Sequence, residues 1–195
     1  QHIYTKDMLP WFHRLKITDL YWPHATQGER EIEGIRIHPF PLFPVQCESF
    51  LHVVNHSVKP IAARKLLYSF VGAYTPGLYI TPVREWVFSL PLRQDACVMK
   101  RDEWHYERQV YGEQIAEQVI TQDEKMAHES RSIEYVDLLC DSVFSLCPSG
   151  SGPNSIRLWE SLGYGSIPVI LSDTLRLPVE LQNGNQPLCG YDAVR

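Results

Sequence analysis

The chain predicts an α/β protein built on a parallel sheet. Apolar, strand-like runs at 65–73, 95–100, 143–148 and 166–172 alternate with helical stretches at 79–90, 132–142 and 153–165. The runs KLLYSFVGA, VFSLCP and SIPVILS are apolar almost throughout, as strands covered on both faces are. Strands alternating with helices imply right-handed crossovers and therefore parallel pairing.

The elements follow in order. YTKDMLPWFHRLK (4–16) reads as a helix with Leu9, Phe12 and Leu15 near one face. Pro10 falls within its first turns, where a missing N–H is tolerated. ITDLYW (17–22) and GIRIHPF (34–40) read as short strands. PFPLFPVQ (39–46) holds too much proline for a central strand and reads as an extended linker. Lys59-Pro60 reads as a boundary, dividing the chain into segments 1–58 and 59–195. YITPVREWVFSL (79–90) turns helical after Pro82, and DACVMK (95–100) is a strand. Residues 101–131 are polar, with Trp104, Tyr106 and Tyr111 interspersed, and read as a solvated loop and helix face. SIEYVDLLCDS (132–142) is amphipathic, with Ile133, Val136, Leu139 and Cys140 on one side. PNSIRLWESLGYG (153–165) reads as a helix with Pro153 in its first turn and Gly163 or Gly165 near its end.

Composition narrows the function. A chain of 195 residues, 44% apolar and 21% charged, suits one or two small globular domains. A formal net charge of −5 argues against a nucleic-acid or anionic-lipid surface. A phosphorylated ligand must then be held by local groups. The five cysteines, at 47, 97, 140, 147 and 189, form no CxxC pair. No zinc site is expected, and a reducing compartment is favoured, with one or two bridges in a lumenal setting the alternative. No apolar run reaches the roughly 18 residues of a membrane span, and no signal peptide is visible. The chain opens at Gln1 rather than Met, so missing upstream residues are expected. The cytoplasm or the cytoplasmic face of a membrane is the expected location, with the Golgi lumen the alternative if a targeting segment was removed.

The chemistry concentrates in VFSLCPSGSGPNSIRLWESLGYGSIPVILSD (143–173). A buried strand ends at Pro148, a loop of small residues follows (Ser149, Gly150, Ser151, Gly152), and a helix begins. Ligands of open α/β sheets bind at such carboxyl ends of strands. The helix start offers free N–H groups and partial positive charge to a phosphate, and glycines let the backbone come close. Ser149, Ser151 and Ser155 add hydroxyls, and Arg157 adds a planar cation suited to phosphate oxygens. Glu160 shares a helix face with Ile156 and Gly163, which should turn toward sheet or cleft rather than water. A carboxylate there must be hydrogen-bonded. It stands on the order of 10 Å along the axis from the helix start, a plausible reach from diphosphate to ribose.

The same segment resembles the exostosin family, glycosyltransferase family 47. The resemblance rests on Leu146-Cys147-Pro148, the glycine loop, Ser155-x-Arg157, Glu160 and Gly165-x-Ile167-Pro168-Val169-Ile170-Leu171-Ser172-Asp173. RKLLYSFVGA (64–73) is similar to the opening of that family's carboxyl-terminal lobe, and the likeness spans roughly 60–178. It implies a GT-B architecture of two Rossmann-type lobes, here with a shortened amino-terminal one. The implied function is an inverting transferase that moves sugar from a nucleoside-diphosphate donor, UDP-sugar foremost, to an oligo- or polysaccharide hydroxyl. Carried over by position, Ser149, Gly150, Ser151, Gly152 and Ser155 cradle the diphosphate, Arg64 and Arg157 neutralise it, and Glu160 holds the ribose. The family implies no bound metal or other cofactor, and there is no Asp-x-Asp motif. Ser161 and Ser166 stand where the family often has Ala and Cys.

An inverting reaction needs a base for the acceptor hydroxyl. His24, after the strand end in TDLYWPHAT, is the first candidate and Asp19 the second. Trp104 and His105 are candidates to stack on sugar or base. Asp173 either caps the following turn or contacts the donor sugar. The alternative to an enzyme is a non-catalytic nucleotide-sugar or glycan-binding module, which the short first segment would suit. A third reading, an unrelated phosphate-binding α/β protein, sits badly with the two separate motif matches.

Overall fold

The computed structural model describes residues 3–51, 58–106, 113–178, 180–183 and 186–189. Tyr111 lies outside them. Contacts divide the chain into two compact units, one of residues 1–42, 152–154 and 172–195, the other of 43–151 and 155–171. This division differs from the expected split at 58, for two local reasons. The segment after residue 42 packs within the second unit through α2 (Val45–Leu51), which contacts α5 (Ile156–Gly163). The segment after residue 171 returns to the first unit, where Gln27 N–H donates to Thr174 O and Arg176 N–H to Ala25 O.

In the first unit, α1 (Ile3–Arg14) buries Leu9. Lys16, in the left-handed region at φ 56°, closes the turn after it. Leu15 falls beyond the helix and is exposed, so the expected apolar face is narrower than the sequence suggested. Strand β1 (Asp19–Trp22) pairs parallel with β3 (Ile35–Pro39), and β2 (Glu31–Ile32) pairs antiparallel with β3. Glu33 and Gly34 join β2 to β3 with φ of 48° and 81°, the two positive values a type I′ hairpin requires. Ile35 and Ile37 point to the core, while Arg36 on the other face is exposed. The Arg176 guanidinium donates to Glu29 O and Ile37 O, tying the returning segment to this sheet.

The second unit holds a four-stranded, all-parallel sheet in the order β5-β4-β6-β7, the predicted Rossmann-type α/β lobe. Its strands are β4 (Leu66–Ala73), β5 (Ala96–Arg101), β6 (Ser142–Pro148) and β7 (Ile167–Leu171). All four coincide with predicted runs. Helix α3 (Val83–Phe88) follows Pro82, as read. Helix α4 (Gln122–Asp141) starts ten residues before the predicted 132, at a capping box in which Thr121 and Glu124 satisfy each other's backbone N–H. Its inner face buries Val136, Leu139 and Cys140, but Ile133 is exposed. Helix α5 begins at Ile156 with Ser155 as N-cap, so Pro153 lies in the loop rather than the first turn. Cys47, Val136, Leu139, Cys140 and Tyr164 form the core that joins α2, α4 and α5. Cys47, Cys140 and Cys147 are buried free thiols. Among described residues, no helix is long and apolar enough to cross a membrane. Beyond β7, β8 (Glu180–Asn183) and β9 (Gln186–Cys189) pair antiparallel.

Candidate nucleotide-binding site

The strand order places a switch point between β4 and β6. From β4 the chain moves to β5 on one side, then returns through α4 to β6 on the other. Helices leaving the two strands diverge there, and a crevice opens at the carboxyl ends. Gly72 is the penultimate residue of β4, and Ser149-Gly150 follow β6 at that edge.

Two arginines converge on the crevice. Arg84, in the first turn of α3, donates from Nε to Ser149 O at 3.0 Å and from Nη1 to Ala73 O at 2.9 Å. Its guanidinium lies 4.4 Å from the centre of the Tyr79 ring. Arg157, in the first turn of α5, donates to Val71 O and lies 4.6 Å from the centre of the Phe70 ring. A Cβ built on Gly72 would stand 3.3 Å from Arg84 Nη1 and 3.4 Å from Arg157 Nη2. Both cations therefore border the gap that this glycine leaves. Desolvation, reinforced by the neighbouring Arg157 charge, holds Arg84 down at about 10. Like charges brought together out of water favour an anion between them.

The glycine loop is anchored rather than loose. Ser149 N–H donates to Leu171 O, and its hydroxyl lies 2.7 Å from Thr81 Oγ1. Ile80 N–H donates to Gly150 O. Ser149 is thus a buried anchor whose N–H is spent, and Gly150 and exposed Ser151 form the outer loop. Ser155 is the N-cap of α5 by position but does not cap it with its side chain. In the first unit, Gly152 packs against His24: a Cβ there would fall 2.2 Å from His24 Nδ1. That nitrogen is buried without a hydrogen-bond partner among the described residues, and burial lowers the imidazole pKa. Asn154 Nδ2 donates to Pro23 O at 2.7 Å and holds the same loop.

Glu160 is buried and hydrogen-bonded, as its helix face predicted. Gln46 N–H donates to Oε1 at 3.0 Å, and the Tyr135 hydroxyl donates to Oε2 at 2.7 Å. Burial raises its pKa, against these two bonds and the Arg157 charge. Each carboxylate oxygen retains acceptor capacity for a hydroxyl.

Other expected residues are placed elsewhere. Arg64 precedes β4 and so stands at the amino edge of the sheet, roughly 20 Å from the glycine loop along a seven-residue strand. Its guanidinium donates to Lys59 O, Leu139 O, Ser142 O and Tyr164 O, which makes it a clamp at the edge away from the glycine loop, not a group lining that loop. Asp19 accepts from Thr18, Arg36 and His38, all at 2.7–2.8 Å. The Arg36 bond, then those of His38 and Thr18, hold its carboxyl far below the usual range, which makes it a poor base. His105 Nε2 lies 3.0 Å from Ser132 Oγ and 3.2 Å from Gln46 Nε2, and its ring stacks on His128 with centroids 4.2 Å apart. One face of the ring is thereby covered, and the side chain serves a polar network rather than an open stacking surface. Trp104 packs edge-on to Tyr106. Asp173 is exposed in the turn after β7. Arg84, Gly72 and Tyr135 were not picked out in the sequence. Arg84 had a readable signal, a second strand–loop–helix junction directly beside the first.

The four-stranded parallel sheet, with two arginines converging at its switch point, defines a Rossmann-type α/β lobe. The Exostosin GT47 domain model matches residues 23–183. The chain belongs to this exostosin GT47 glycosyltransferase family. A probable glucuronoxylan glucuronosyltransferase of Arabidopsis thaliana is 50% identical over 44 residues, which are 23% of this chain and 10% of that protein. A probable glucuronosyltransferase of Oryza sativa subsp. japonica shows the same identity over the same shares. The matched stretch is thus a tenth of the length of these curated relatives. The family is one of enzymes that transfer a sugar from a donor to a glycan acceptor.

Proposed function

We propose that the chain carries the donor site of an inverting glycosyltransferase that uses a nucleoside-diphosphate sugar, with uridine the favoured base. The convergence of Arg84 and Arg157 on the gap at Gly72, beside the Gly150 loop and the start of α5, carries the reading. In it, the two guanidiniums and the helix start hold the diphosphate, and Glu160 accepts from ribose hydroxyls. His24, in the first unit, is the base proposed for the acceptor proton, and its lowered pKa keeps the ring neutral. The acceptor oxygen attacks the anomeric carbon as the bond to the diphosphate breaks, and the configuration inverts. Charge building on the leaving diphosphate falls to Arg84, Arg157 and the helix dipole, so metal-independent action is part of the proposal.

Titration calorimetry with UDP, GDP and ADP, with chelator and then with magnesium, tests it. Selective, metal-independent UDP binding that Arg84→Met and Arg157→Met each weaken is the expected result. Binding of none of the three overturns the reading. Binding without turnover of any UDP-sugar would instead favour a non-catalytic module.

A further inference from the structure

Arg157 and Glu160 stand three residues apart on α5, the spacing at which opposite charges ordinarily meet on a helix. Among the described residues they form no ion pair. Arg157 turns to Val71 O, and Glu160 accepts from Gln46 and Tyr135. Tyr135, on α4, touches both. Its ring centre lies 5.1 Å from the Arg157 guanidinium, and its hydroxyl donates to Glu160 Oε2 at 2.7 Å. We propose that Tyr135 is a positioning residue that keeps Arg157 and Glu160 from pairing with each other, so that one nucleoside diphosphate meets a cation at its phosphates and a carboxylate at its ribose.

The physical chemistry is direct. The ring face attracts the guanidinium and holds it beside the gap at Gly72. The hydroxyl satisfies one carboxylate oxygen in a buried place where an unpaired charge is costly. Without that hydroxyl but with the ring still against Arg157, Glu160 takes up a proton more readily. That removes the anionic acceptor and leaves the phosphate-binding cation in place.

The inference rests on the donor-site reading, and its test separates the two. Tyr135→Phe keeps the ring and deletes the hydroxyl. UDP and inorganic pyrophosphate are titrated into wild type and variant across the acid-to-neutral range. UDP should bind about tenfold more weakly to the variant, as expected for one charge-assisted hydrogen bond. Pyrophosphate should change by less than about twofold at neutral pH. The acid limb of UDP binding should move to higher pH, because losing a donor to the carboxylate raises its pKa. A purely structural role would weaken both ligands together without moving that limb. In a Glu160→Gln background, Tyr135→Phe should add nothing further. Unchanged UDP affinity and pH profile, parallel loss of both ligands, or multiplying losses in the double variant overturn the inference alone. A wild-type chain that binds neither ligand overturns the donor-site reading, and this inference with it.

Discussion

The two edges of the parallel sheet treat an arginine in opposite ways. At the amino edge, Arg64 makes four hydrogen bonds, all to carbonyl oxygens, that tie the ends of α4 and α5 and the start of β6 together. At the carboxyl edge, Arg84 makes two, and its Nη2 has no hydrogen-bond partner among the described residues. It also faces a second cation across Gly72. A cation with its donors spent holds the fold. One with donors in hand beside a like charge is set for a ligand.

That contrast can be broken most forcibly at Arg64. Arg64→Met leaves several buried carbonyls without donors and should cost about 3 kcal/mol or more, read as a lower urea midpoint. Any loss of nucleotide binding should merely track the unfolded fraction. Arg84→Met should do the reverse: UDP affinity falls about a hundredfold, while the melting temperature barely moves because a repulsion is relieved. Equal stability losses at the two edges would end the distinction. Gly72→Ala sharpens it further. The new methyl would sit 3.2 Å from Phe70 Cζ and against both guanidiniums, costing about 1 kcal/mol and lowering UDP affinity several-fold in calorimetry.

A pH-dependent effect lies in the network beside Glu160. Burial, then the His128 and Arg131 charges, push the His105 imidazole from 6.5 down to about 3. Between those values the unfolded chain binds the proton and the folded chain does not. His105 therefore leaves stability intact above about 6.5 and lowers it as pH falls toward 3. His105→Gln should flatten that acid limb in urea midpoints measured against pH.

Much of this was legible in the chain itself. Continuous apolar runs marked all four parallel strands, and the helical period that groups Glu160 with Ile156 and Gly163 placed it on a buried helix face. Parallel direction was legible too, and it bears on the arginines. A residue just before a strand stands at the amino edge and one in the next helix start stands at the carboxyl edge, so Arg64 and Arg84 could have been sorted by order alone. The start of α4 was hidden by its polar first turns, although Thr121-x-x-Glu124 is a capping signature. Helix α2, seven residues after a proline-rich stretch, has too little periodicity to be seen. The pairing of Asp19 with Arg36 and His38 depends on the parallel register of β1 with β3, which no local pattern encodes.

The buried thiols of Cys47 and Cys140 carry a practical consequence. They sit where α2, α4 and α5 meet, and burial pushes both up, Cys47 to about 11. So little thiolate forms at neutral pH that an alkylating reagent must wait for the helices to part. Their labelling rate is then a clock for that opening, and a donor nucleotide that holds Glu160 against α2 should slow it.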